Sequence, residues 1–257
     1  TTLIQDQTDL PAVLLYLIAI IAGGLAAGLI GVLVGIPALR LSGDYLCIVT
    51  VAVAEIVRVV LSNFGIPAIT GKATFGKSFA GIAKVSDYHY VYITMVICIF
   101  IMYCYIRSRY GRALIAIRED RIAAAASGIN VTKTKVLTFT ISAFFAGVSG
   151  AIYAHYITTL VPTYFNFSKS SEFLAIVILG GSGSLTGSIV AAPILSALPQ
   201  LISYVVPAFA SYRMLIYAII LVVVMIFKPT GLFGGREFSL PKLIDKITKK
   251  KTPKEKR

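Results

Sequence analysis

Seven apolar stretches punctuate this chain, at residues 10–39, 46–61, 91–106, 136–157, 173–179, 189–206 and 214–227, and they constrain its fold more than any other feature. A hydrocarbon core of ~30 Å takes about 20 apolar residues as a helix, because no water is present there to satisfy backbone groups. Runs of 15 or more apolar residues recur too often here to be one buried core helix or one signal peptide. Only 14% of the 257 residues are charged, against about 25% in ordinary soluble domains. The expected fold is therefore all-α, a polytopic transmembrane helix bundle. Stretch 10–39 has the length of a tilted helix, and 173–179 that of a half-helix.

The 24 Lys and Arg give a net charge of +13, and they fall in blocks. Seven lie in a polar island at 107–135: Arg107, Arg109, Arg112, Arg118, Arg121, Lys133 and Lys135. Ten more follow from Lys228 onward. Blocks between and after apolar spans are topology signals, not the basic surface of a nucleic-acid binder. Placing island and tail on one cytoplasmic side requires an even number of crossings between them, and four apolar segments lie between. Arg40 then also lies inside, Lys72, Lys77, Lys84, Lys169 and Arg213 lie outside, and the first residue faces outside. With no Trp in the chain, Tyr16, Tyr45, Tyr88, Tyr110, Tyr164 and Tyr212 are the expected interfacial anchors. The chain opens Thr1-Thr2, carries Asp6 and Asp9 ahead of the first span, and has no basic leader. This is no signal peptide, and a trimmed N-terminus is expected.

Small residues recur at every fourth position in two spans. Gly24 with Gly28 and Ala27 with Gly31 and Gly35 form one set, and Ser142, Ala146, Gly150 and Ala154 the other. Each set lies on one helix face, where backbones in lipid can approach closely, and both are expected to pack. Cys47, Cys98 and Cys104 lie in apolar stretches without ligand-like spacing to His89 or His155, so neither a disulfide nor a metal site is expected. No phosphate-binding loop is present: the run 180–187, GGSGSLTG, lacks the lysine and the preceding strand. No nucleophile, base and orienter converge, which argues against an enzyme.

Three features remain that could carry function. Glu55 and Arg58 stand at i and i+3 inside a span, where they can pair and face the bundle interior. They serve either a transport pathway or an intrahelical scaffold. The turn at Gly180 and Gly181 either interrupts a helix beside a transport site or is a flexible cytoplasmic connection. The island's core, 113–127, is written in strong helix formers, and Gly128 sits where a left-handed cap would end that helix. Leu114, Ile117, Arg121 and Ala124 run down one face with Ile122, Ala125 and Ala126 beside it, while Arg118, Glu119 and Asp120 stand off it. Small alanines suit docking into a partner's groove, and headgroup contact is the other reading. In the tail, Leu240, Leu243, Ile244 and Ile247 at helical spacing beside lysines suggest a lipid-attracted surface helix, with a disordered solvated tail as the other reading beyond Thr252.

The run 111–130, GRALIAIREDRIAAAASGIN, resembles the coupling-loop motif of ABC importer permeases in the form used by branched-chain amino-acid permeases. The resemblance extends to 35–45 (GIPALRLSGDY), 55–58 (EIVR), 142–147 with 153–156, the 180–187 turn, and 212–214 through 228–232 (KPTGL), so it covers most of residues 30–234. Members of this family usually begin with further hydrophobic helices, so an N-terminal part is expected to precede Thr1. The stretch 70–76 departs from the glycine-rich loop that relatives often carry there.

The resemblance implies a permease domain at 1–234 with a short cytoplasmic coupling helix in the loop 107–135, followed by a basic cytoplasmic tail at 235–257. Arg112, Arg118, Glu119, Asp120, Ala124, Ala125 and Gly128 would belong to the ATPase-coupling loop, with Glu119 opening the alanine run and Gly128 matching the motif's glycine. Glu55, Arg58, Gly180 and Gly181 are candidates for the translocation pathway. The implied activity is uptake of branched-chain amino acids through the cytoplasmic membrane of a prokaryote. The implied partners are a second permease subunit, two ATPase subunits and an extracytoplasmic binding protein. No cofactor is implied for this chain, since ATP would be bound by the partner subunits. Permeases for urea or short-chain amides are similar, and an ion-coupled secondary transporter is the reading from another class.

Overall fold

In lipid an apolar run must satisfy its backbone within itself, and the described apolar stretches fold accordingly. The computed structural model describes residues 12–41, 43–64, 88–157, 159–181 and 183–205, and positions 218, 219, 222, 223, 226, 227 and 231. The described residues form helices α1 (Ala12–Ala38), α2 (Asp44–Phe64), α3 (Tyr88–Arg107), α4 (Arg109–Glu119), α5 (Arg121–Ala126) and α6 (Val131–Ile157). A 3-10 turn (Pro162–Tyr164), α7 (Phe167–Gly180) and α8 (Leu185–Val205) complete them. No strand occurs among the described residues. The spans Tyr16–Ala38, Tyr45–Asn63, His89–Arg107 and Val131–Ile157 are long and apolar enough to cross a membrane. The fold is thus an all-α transmembrane bundle. Most of stretch 214–227, the loop 70–76 and the tail 235–257 lie outside the described residues.

Contacts divide the chain into two units, Thr1–Phe167 and Ser168–Arg257. The first is organised around α1 and α6, each 27 residues and so about 40 Å long. They run antiparallel: Gly23 lies by Ala151, Gly24 by Phe144, Gly31 by Ala143 and Gly35 by Phe139. A Cβ on Gly31 would stand 2.6 Å from that of Ala143, and one on Gly147 would stand 2.5 Å from that of Ala27 and run into the Gly23 carbonyl oxygen. Without side chains at those points the backbones touch. The short-range dispersion so gained replaces the hydrophobic driving force that lipid abolishes.

The α1 stripe therefore packs as its spacing predicts, whereas the α6 stripe does not. Ser142 and Ala146 are exposed, and a Cβ on Gly150 would meet nothing within 4 Å. The face of α6 that meets α1 is instead Phe139, Thr140, Ala143, Phe144, Gly147 and Ala151. The small residues of α6 that pack are Ala143, Gly147 and Ala151, one position along from the expected set, and Phe144 fills the hollow left at Gly24.

Tyr16 departs from its expected anchoring role. It is 1% exposed, packed with Ile20 and Val148, and meets the buried His155 ring edge-on with centroids 5.4 Å apart. Tyr45, Tyr110 and Tyr164 are exposed, as anchors would be. The three cysteines are free.

In the second unit, α7 has 14 residues, about 21 Å, and is too short to cross a hydrocarbon core alone. It joins α8 through a turn of close backbone contacts. A Cβ on Gly180 would stand 2.7 Å from the Gly187 carbonyl carbon and the Ser188 nitrogen. The buried Ser184 hydroxyl accepts from the Gly187 N–H at 3.1 Å. Gly231, just past the last apolar stretch, presses on Gly181, where an added Cβ would sit 2.5 Å from the Gly181 nitrogen. That junction sets Gly231 against the turn where α7 stops. Ile176, Leu179, Ala191 and Leu195 form this unit's core.

Candidate functional site

The polar island folds as a bracket joining the end of α3 to the start of α6. Each of its corners is fixed by a short polar side chain that accepts backbone N–H groups left over at a helix start. At the first corner the Ser108 hydroxyl oxygen accepts from the Gly111 N–H at 3.4 Å. Gly111 lies so close to α3 that an added Cβ would collide with the Ile106 carbonyl. Arg112 braces the same corner, its Nη1 donating to the Arg107 carbonyl at 2.8 Å. Arg107 lies 4.6 Å over the Tyr103 ring, and the Tyr105 and Thr138 hydroxyls, 2.9 Å apart, tie α3 to α6 at the bracket's base.

The second corner is at Asp120 and corrects the expectation of one continuous helix over 113–127. The residue is extended, with φ −151° and ψ 114°, and its Oδ1 accepts from the N–H of Ile122 at 2.7 Å and of Ala123 at 3.1 Å. Its own N–H closes α4 on the Ala116 carbonyl at 3.0 Å. Two helices result where propensity alone predicts one, because a carboxylate at the break satisfies the donors that the break exposes.

At the third corner α5 ends as its sequence predicts. Gly128 has φ +83°, its N–H donates to the Ala125 carbonyl at 3.0 Å, and the Ile129 N–H donates to the Ala124 carbonyl at 3.1 Å. These two bonds are the paired closure of a helix ending in a left-handed residue. Asn130 then starts α6, its Oδ1 accepting from the Lys133 N–H at 3.0 Å.

Ile117 and Ala124 are buried at 7% and 3% exposure, while Ile122 is 82% exposed, with Ala125 and Ala126 exposed beside it. Between α5 and the first turn of α6 lies an open groove of about 840 Å³, lined by residues including Asp120, Ile122, Ala125 and Ile129. Arg118 and Glu119 pair with each other at 2.8 Å on the exposed rim. The arrangement presents an apolar knob and an open groove on a frame capped at three corners. Among the described residues no three His, Cys, Asp or Glu converge as a metal site would require.

The bracket thus gathers Arg112, Arg118, Glu119, Asp120, Ala124, Ala125 and Gly128. Glu55 and Arg58 lie apart on α2, where Arg58 Nε donates to Glu55 Oε2 at 2.7 Å. The pair forms as spaced, but at 35% and 30% side-chain exposure it is half open rather than enclosed. Gly180 and Gly181 belong to the second unit, in the α7–α8 turn, where both are buried and Gly181 has φ +114°. Sequence reasoning missed Ser108 and Asn130, although both are residue types that favour helix starts and each directly precedes a helical run. It also missed the outward turn of Ile122, which no periodicity encodes once the helix is broken.

Comparison with known proteins places these features in context. The family described as the permease component of the branched-chain amino acid transport system matches residues 2–225. The high-affinity branched-chain amino acid transport system permease protein LivM of Escherichia coli K12 is 35% identical, over 81% of this chain and 55% of the relative. The corresponding protein LivH of Salmonella typhimurium is 32% identical, over 56% of this chain and 44% of the relative. A probable branched-chain amino acid transport permease protein LivM of Methanocaldococcus jannaschii is 23% identical, over 91% of this chain and 72% of the relative. The chain spans about half the length of the first of these relatives. No solved structure matches.

Proposed function

This chain belongs to the family of branched-chain amino acid transport permease components, and on that premise we propose that it is a membrane-spanning subunit of an ATP-driven importer for branched-chain amino acids. The bracket at 107–135 carries this reading. It is a polar element braced between two spanning helices, with an exposed apolar knob, in a chain that has no phosphate loop of its own. Its docking partner is a cytoplasmic ATPase subunit, and closure of an ATPase pair around nucleotide moves the bracket as a rigid body, switching the bundle between inward and outward openings. A second, related permease subunit completes the pathway, as the likeness to both LivM and LivH supports. An extracytoplasmic binding protein delivers the substrate. Bracket and basic tail lie on the cytoplasmic side, following the bias of positive charge. Glu55, Arg58 and the turn at Gly180 and Gly181 contribute to the pathway.

The test is uptake of radiolabelled leucine into proteoliposomes holding the complete permease pair, its ATPases and its binding protein. Uptake is expected to require ATP inside the compartment that the bracket faces, and to be competed by isoleucine and valine but not by urea or acetamide. Uptake that survives removal of the ATPases and collapses with an ion gradient would instead identify a secondary transporter.

A further inference from the structure

Asp120 performs two tasks at one position. Its backbone N–H ends α4 on the Ala116 carbonyl, and its carboxylate starts α5 by accepting from Ile122 and Ala123. The residues around it, Ile-Arg-Glu before and Arg-Ile-Ala-Ala after, carry no other break: there is no glycine or proline from Ala113 to Ser127. A residue without a capping side chain at this position would leave those two exposed donors to water alone, and the helix-forming residues on either side would then favour joining the two segments. The start of α5 at this break is therefore capped by one side chain, between helices whose other ends are anchored by packing.

What that break presents is Ile122. Helix α4 is held by buried Ile117 and by Gly111 pressed on α3, and α5 is held on one side by buried Ala124. Ile122, 82% exposed, rises above the flat surface of Ala125 and Ala126. The charges at the elbow, Arg118 and Arg121 against Glu119 and Asp120, balance, and Arg118 and Glu119 already pair. The island's excess of basic residues, Arg107, Arg109, Arg112, Lys133 and Lys135, flanks the elbow rather than lying at it, so headgroup contact suits the ends and a protein partner fits better at Ile122.

We propose that Asp120 is the positioning residue of the bracket, holding α5 at the angle that inserts Ile122 into the partner ATPase. This rests on the importer reading above. Its role is the geometric one of a helix cap rather than a charge contact across the interface.

The complete importer in proteoliposomes separates these possibilities, with substrate taken up per ATP hydrolysed as the readout. Asp120→Glu keeps the charge but sets the carboxylate one methylene too far out to cap, and Asp120→Asn loses the charge but keeps the cap. Uptake per ATP is expected to fall about fivefold in Asp120→Glu and in Asp120→Ala, and to be restored within about twofold in Asp120→Asn. In parallel, Ile122→Cys, with Cys47, Cys98 and Cys104 replaced by Ser, is expected to cross-link to the ATPase, at reduced yield when combined with Asp120→Glu. The reverse order, Glu active and Asn impaired, overturns the proposal in favour of a charge contact. Unchanged coupling in all three variants alongside a normal cross-link overturns the proposal and leaves the ATPase reading intact. A cross-link to lipid alone, or none, removes the ATPase reading and this inference with it.

Discussion

The α1–α6 pair and the bracket solve the same problem, holding helices in fixed relation, by opposite means. Between α1 and α6 side chains are deleted: Gly23, Gly31 and Gly147 bring backbones together, and Phe144 fills the hollow at Gly24. In the bracket, polar side chains are placed at the corners: Ser108, Asp120 and Asn130 each accept backbone N–H groups. The difference follows from the surroundings. Within an apolar span the backbone is already satisfied and only close contact remains to be gained. In the island, each short helix exposes unpaired N–H groups at its start, and a capping oxygen is worth about 1 kcal/mol.

If that contrast is right, adding bulk is most damaging in the pair. Gly147→Val, facing Gly23 and Ala27, is expected to cost about 3 kcal/mol by overpacking, read as a lowered unfolding midpoint of the purified protein in detergent. Gly150→Val, three residues along the same helix with nothing within 4 Å, is expected to change the midpoint by less than about 0.5 kcal/mol. Equal losses would mean that the outer stripe of α6 is packed after all, and the comparison would fail.

Smaller effects belong to the bracket. Gly128→Val forces a β-branched residue to φ +83° and is expected to cost about 1–2 kcal/mol locally. Uptake per ATP in vesicles should fall while the global unfolding midpoint stays put; a normal coupling ratio would make the left-handed end dispensable. Smallest is Asn130→Ala, which removes the acceptor of the Lys133 N–H. About 1 kcal/mol of helix-start stability is at stake, and faster hydrogen exchange confined to the first turn of α6 is the expected sign.

Much of this was legible in the residues. The long spans follow from apolar length, the left-handed end at Gly128 from its place after an alanine run, and the glycine face of α1 from fourfold spacing. Pairing of Glu55 with Arg58 follows from i,i+3 geometry. Other features were not legible for identifiable reasons. The α6 stripe has the right spacing and the wrong face, because spacing marks a surface but not the helix that covers it. Tyr16 lies at a span end, where an anchor is expected, yet α6 brings His155 and Val148 over it. Asp120 looked like one charge among four, since a cap differs from a surface carboxylate only in its own φ and ψ.

The sequence by itself determined that the chain is a membrane helix bundle, that one polar segment stands outside it, and where that segment's final turn ends. Those properties depend on local composition and on backbone groups a few residues apart. The tertiary structure alone decided which face of α6 meets α1, that Gly231 closes on Gly181, and that α4 and α5 are separate helices with Ile122 turned outward. Each of these depends on atoms distant in the chain, or on a competition between helix continuation and capping whose outcome is fixed only when both ends of the bracket are anchored.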